Sequence, residues 1–155
     1  MTDFEEVAPD KPMIPLPSDL IASLCKVGFL TGSRAYGTAR KDSDWDIVYA
    51  VQDSEEIDGI LEGLERVRSG YNDGFCVTVL GTKINLIPVH PHEFLPWYLT
   101  TKAMTATLKA SGIKDPVKKY ALFEIVTGAF RGLCDQLGST QGYNEIKKKI
   151  VSGTL

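Results

Sequence analysis

The feature that most constrains this chain is a polar stretch held between two apolar runs: Val27 to Leu30 leads into Thr31-Gly32-Ser33, and Ile47 to Val51 leaves from Asp44-Trp45-Asp46. Short apolar runs of this kind read as buried strands, so the segment between them is a loop presented at the end of a sheet. Side chains alternate along a strand. Asp44 and Asp46 therefore share one face, while Trp45, Ile47 and Tyr49 point to the other. Two carboxylates converging on one spot repel each other unless something positive lies between them, and hard oxygen donors suit Mg²⁺, which takes its remaining ligands from water and phosphate. Gly32 lets the backbone approach a ligand closely, Ser33 offers a hydroxyl and an amide, and Arg34 can add a positive charge.

Gly32-Ser33, then ten residues, then Asp44-x-Asp46 resembles the signature of the DNA polymerase beta-like nucleotidyltransferase superfamily, in particular its minimal single-domain members. The resemblance implies that the Gly-Ser pair opens a short helix holding the triphosphate and that Asp44 and Asp46 bind catalytic Mg²⁺. Nucleotide binding is thereby assigned to Gly32, Ser33 and Arg34, and metal binding and catalysis to Asp44 and Asp46. Family catalysis also uses a third carboxylate on a later strand. The matching segment here is Lys83-Ile84-Asn85-Leu86-Ile87-Pro88, which places Asn85 at that position. Asparagine can offer a carbonyl oxygen to a metal, but it carries no charge and cannot accept a proton from an attacking hydroxyl. Asp42, Asp73 and Glu93 are the other acids that folding could bring near, Asp42 reading first as a loop-ordering residue.

The expected activity is Mg²⁺-dependent transfer of a nucleotidyl group from a nucleoside triphosphate such as ATP to an acceptor, whether RNA, protein or small molecule. The rival expectations are a nucleotide-binding regulator weakened in turnover by Asn85, and an antitoxin-like interaction module. His90 and His92 flank Pro91 at a strand end, where polar loop residues are common, although histidine is also the side chain most readily poised near neutral pH. Lys102, Lys114, Lys118 and Lys119 are candidates to reach a triphosphate. Tyr36 is a candidate to stack on a base, whereas Trp45 alternates toward the core.

Composition narrows the class further. The chain has 155 residues, with 43% hydrophobic and 24% charged, and a formal charge of −3; this is the profile of one ordinary globular domain and not of a protein that grips nucleic acid through bulk charge. Three cysteines, Cys25, Cys76 and Cys134, lie at wide spacings in apolar segments and read as reduced core residues. With no leader-like or membrane-spanning apolar stretch, the expected location is the cytoplasm.

Along the chain, prolines at positions 9, 12, 15 and 17 make residues 1–17 an extended arm ahead of a single domain at 18–155. Ser18 is expected to cap a helix at Asp19 to Lys26, and Ser54 a longer one carrying Ile57, Ile60, Leu61, Leu64 and Val67 up to Ser69-Gly70. Phe75 to Leu80 and Lys83 to Val89 read as a hairpin turning at Gly81-Thr82. A helical stretch follows Pro91, with Pro96 blurring its start. Asp115-Pro116 opens a helix whose apolar face is Phe123, Val126, Phe130, Leu133 and Leu137, ending at Gly138. A last helix, Tyr143 to Val151, carries Lys147-Lys148-Lys149 as a solvated run. Together these elements predict an α/β (α+β) domain: a mixed sheet of about four strands flanked by helices, with helices at the C-terminal end.

Overall fold

The computed structural model describes residues 14–69 and 72–155. Most of the N-terminal arm, and the Gly70 expected to end the second helix, lie outside those residues. The fold is α+β, built on one mixed sheet of five strands in the order β1-β2-β5-β4-β3. These are β1 (Phe29–Thr31), β2 (Trp45–Ala50), β3 (Val67–Arg68), β4 (Phe75–Val79) and β5 (Thr82–Val89). The central pair β2 and β5 is parallel, and every other pairing is antiparallel. Both edge strands are very short, which leaves little unpaired ladder for another chain to join.

Strand alternation sends two different sets of side chains to the two faces. Ile47 and Tyr49 of β2, with Ile84 and Leu86 of β5, meet Leu20 and Leu24 of helix α1 (Pro17–Leu24) and Ile57 of helix α3 (Ser54–Ile60). On the opposite face, Val48, Ala50, Ile87 and Val89 meet Phe94 and Tyr98 of helix α4 (Pro91–Ser111) and Tyr143 and Ile150 of helix α6 (Tyr143–Ser152). Phe29, Phe94, Tyr98 and Tyr143 join there through edge-to-face ring contacts at 5.0–5.5 Å, the arrangement their quadrupoles favour. Helix α5 (Pro116–Leu137) packs along α4, and Asp115 caps it by accepting from the Val117 amide at 3.1 Å.

Several local expectations are corrected. Pro17, not Ser18, opens α1: proline sits well at the first helical position, Leu16 is the N-cap, and no side chain caps the helix. The helix expected to reach Ser69-Gly70 stops at Ile60, and Val67–Arg68 instead pairs with Phe75 and Cys76 as a fifth strand. Ser54 does not cap that helix, since its hydroxyl donates back to the Val51 carbonyl at 2.6 Å. The hairpin turns at Leu80-Gly81, both with positive φ (49° and 82°), and Val79 faces Thr82 across it. That is the primed geometry with two left-handed residues, which matches strand twist. Helix α4 runs from Pro91 straight through Pro96, which is buried.

On α5 Leu122, Val126, Phe130 and Leu133 are half-buried, while Phe123 and Leu137, expected on that face, are more exposed, at 45% and 44%. Lys147 is not part of a solvated run. It pairs with Asp53 at 2.9 Å, with side-chain exposures of 16% and 12%, and the Tyr143 hydroxyl donates to the same carboxylate at 3.0 Å. Asp53 thereby ties α6 to the end of β2. Burial raises the Tyr143 phenol well above its ordinary range, and the adjacent Asp53 charge raises it further.

Candidate functional site at the aspartate pair

The second sheet face is covered by α4 over Val48 and Ala50 but not over the beginning of β2, and the polar residues collect in that uncovered strip. Asp46 pairs with Asn85 in the parallel β2–β5 register. Their side chains therefore emerge side by side on the same face, and Asp44 joins them from the residue pair before. The Asn85 amide nitrogen donates to Asp46 Oδ1 at 2.8 Å and faces Asp44 Oδ2 at 3.3 Å. The Lys83 ammonium lies 3.8 Å from the same Asp44 oxygen. In this arrangement, one amide and one lysine occupy the space toward which both carboxylates point.

Helix α2 (Gly32–Tyr36) begins directly beside Asp46. Gly32 has φ +72°, and a Cβ placed on it would come 2.2 Å from Asp46 Oδ2. Only glycine accepts that backbone and leaves room for the carboxylate. Two contacts fix the end of β1 and helix α2 against α4: a buried hydrogen bond of 2.7 Å between the Thr31 and Thr101 hydroxyls, and a bond from the Thr105 hydroxyl to the Ala35 carbonyl at 3.3 Å.

Burial raises the Asp46 carboxyl above its ordinary range; the Asn85 hydrogen bond opposes that shift and the Asp44 charge adds to it. A carboxyl raised on folding contributes stability below its unfolded pKa and loses it as pH rises through the folded value. Asp46→Asn should therefore be at least as stable as the native protein in urea at neutral pH. That advantage should shrink as pH falls through the Asp46 titration. An advantage that grew on acidification would contradict this origin of the shift.

The aspartates open onto a cleft of about 1010 Å³. Among the residues assigned from sequence, Gly32, Ser33, Asp44, Asp46 and Asn85 all line it, as do Tyr36, Asp42 and Lys119. Arg34 takes a different place. Its guanidinium donates to the Lys41 and Ser43 carbonyls at 3.1 and 2.9 Å and lies over the Trp45 ring at 4.5 Å, so it braces the loop that delivers Asp44. Asp73 faces Arg68 at the sheet edge, and Glu93 accepts from the His90 amide at the start of α4, so neither is among the cleft residues. His90 and His92 stack on each other at 5.5 Å, beyond the far end of β5. Lys102 sits over the Tyr98 ring.

Sequence reasoning missed Lys83, which among the described residues is the cation paired with Asp44. Its signal was its position two residues before Asn85, on the same strand face. It also missed the α4 and α5 side chains Met104, Leu108, Tyr120 and Phe123 as residues that line the cleft.

Among the described residues no group of three or more His, Cys, Asp or Glu side chains is placed to hold a metal. The donors that do converge are two carboxylates and, with the Asn85 amide turned over, one amide oxygen. This set fits Mg²⁺ provided that a ligand supplies further oxygens, because Mg²⁺ is commonly held by one or two carboxylates together with substrate phosphates. Amide orientation is fixed only by hydrogen bonding, so the turn of Asn85 is open to it. No protein-family model, no curated protein and no solved structure matches this chain. The described residues form no helix long and apolar enough to cross a membrane.

Proposed function

We propose that this protein binds a nucleoside triphosphate with Mg²⁺ and transfers its nucleotidyl group to an acceptor hydroxyl on RNA, a protein or a small molecule in the cytoplasm. The observation that carries the reading is the convergence of Asp44, Asp46 and Asn85 on one point against Gly32, in the lining of a cleft large enough for a nucleotide. Asp44 and Asp46 would hold the ion, with Asn85 as an uncharged third donor. When bound, the ion neutralises charge on the α-phosphate and lowers the pKa of the acceptor hydroxyl.

The protein's own groups do the rest. Ser33, at the start of α2, binds the β and γ phosphates through its hydroxyl and amide, and Lys83 and Lys119 add positive charge along the cleft wall. The acceptor oxygen forms a bond to the α-phosphorus as the bond from that phosphorus to the β-bridging oxygen breaks. Pyrophosphate leaves with the electron pair, and the acceptor proton passes to a carboxylate of the pair, since Asn85 cannot take it.

Removing Asp44 or Asp46 leaves a single carboxylate on the ion. Asp44→Ala and Asp46→Ala are each expected to abolish Mg²⁺-dependent triphosphate binding measured by calorimetry. Equal nucleotide affinity of the native protein with and without Mg²⁺ would defeat the proposal.

A second reading has its own observation. The Asn85 amide hydrogen-bonds the aspartates and the Lys83 ammonium offsets part of their charge from within the protein, as they would in a nucleotide-binding regulator with weak turnover. Asn85→Asp separates the two, because it changes charge with little change of shape. In a weak or silent enzyme it should tighten Mg²⁺ binding and raise nucleotidyl transfer from labelled ATP into a cell extract from a low baseline. Fast native transfer that this substitution leaves unchanged or lowers would mean that Asn85 is not a vacant carboxylate position.

A further inference from the structure

The cleft is lined by two chemically different sets of side chains: the polar groups assigned above, and the apolar Met104 and Leu108 of α4 with Tyr120 and Phe123 of α5. The two rings are three residues apart, so they lie on the same side of their helix. Helix α5 packs along α4, with Phe130 5.2 Å from Trp97 and Leu122 and Val126 half-buried, while Tyr120 is 64% and Phe123 45% exposed. They are large apolar side chains that the fold does not use for its own core. Lys119, adjacent to Tyr120, also borders the cleft.

A nucleoside triphosphate is bipolar in the same sense: a flat aromatic base at one end, a polyphosphate at the other and a ribose between. We infer that Tyr120 and Phe123 of α5 form the nucleobase subsite of this cleft, stacking the base while the aspartate end holds the phosphates. The inference rests on the nucleotide reading and adds to it where the base sits and how it is chosen. Selection acts through the area of the ring face and not through hydrogen bonds to base edges, so purines bind more tightly than pyrimidines and adenine and guanine are weakly distinguished. Stacking of this type is tolerant of sequence because every base has a π face.

The test compares ATP, CTP and inorganic tripolyphosphate, each with Mg²⁺, by calorimetry on the native protein and on Tyr120→Ala/Phe123→Ala. Both rings are substantially exposed, so the double variant should keep its fold, which circular dichroism checks. The native protein should bind ATP at least about 10-fold more tightly than tripolyphosphate, with CTP between them. The double variant should lose roughly 10- to 100-fold in ATP affinity, the range expected when one stacked base loses its aromatic partner, and bind tripolyphosphate as before.

Phe123→Leu keeps apolar bulk without a ring and should also weaken ATP, whereas Phe123→Trp should restore it. Undiminished ATP affinity in the double variant, or equal affinity of native protein for ATP and tripolyphosphate, would overturn the subsite while leaving phosphate binding at the aspartates intact. Failure of the native protein to bind either ligand would remove the nucleotide reading and the subsite with it.

Discussion

Asp53→Ala is expected to lower the stability of the protein by about 3 kcal/mol, read from the midpoint of urea unfolding at constant slope. The Asp53 carboxylate receives both the Lys147 ammonium and the Tyr143 hydroxyl, and both members of the ion pair are mostly buried. Deleting the acid leaves a positive charge and a phenol without their acceptor in a place where water reaches them poorly. Tyr143 also packs its ring against Phe94 in the core on that sheet face. Lys147→Met in the Asp53→Ala background should recover a large part of the loss, because the unpaired charge goes and apolar bulk replaces it. If Asp53→Ala costs no more than an ordinary surface substitution, the tie between α6 and the end of β2 is not holding the helix.

Gly32→Ala should act on function more than on folding. At φ +72° an alanine costs roughly 1–2 kcal/mol in the backbone, and its Cβ would collide with the Asp46 carboxylate. The carboxylate must move away from Asn85, so Mg²⁺-dependent nucleotide binding should be lost while the domain still folds. Gly37→Ala is the matched control. Gly37 also has a positive φ, 79°, but open space lies where its Cβ would go. The control should pay a similar backbone cost and keep its ligand affinity. Parallel loss of binding in both variants would show that distortion of α2, and not crowding of Asp46, is responsible.

The parts of the fold that were legible in the sequence are those where local chemistry and tertiary packing agree. Asp115-Pro116 gave the start of α5 because a capping carboxylate and a proline that needs no amide partner act within one turn. The alternation through Asp44-Trp45-Asp46-Ile47 placed the aspartates on one face and Trp45 on the other, as strand geometry requires. What misled was periodicity without regard to breaks. Leu64 and Val67 continue the spacing of α3, yet Glu62-Gly63 interrupts it, and Val67 gains more by pairing with Cys76 than by extending a seven-residue helix.

The turn at Leu80-Gly81 was misplaced by one residue because a leucine at positive φ is rarely read from sequence. Lys147 was misread as solvated, and the contacts of Arg34 were not foreseen, for a common reason. A cation's partner is set by tertiary contacts, here loop carbonyls and Asp53, and neither is visible in the neighbouring residues.

The pairing of Asp46 with Asn85 also makes the site sensitive to changes in chain length at places that never touch it. Asn85 reaches Asp46 only because β5 is held in one register against β2, and that register is shared with the hairpin closing at Leu80-Gly81. Strands tolerate no half-steps: a slip of one residue turns every side chain to the other face. A single residue inserted between Gly81 and Asn85 would present Ile84 to Asp46, bury the amide among the apolar side chains under α1 and α3, and leave the carboxylates facing each other. The segment 37–43 that joins α2 to Asp44 lies outside the paired strands, so its length can change without moving that register. Insertions and deletions should therefore be distributed unevenly in functional variants of this protein, frequent before Asp44 and excluded between the hairpin turn and Asn85.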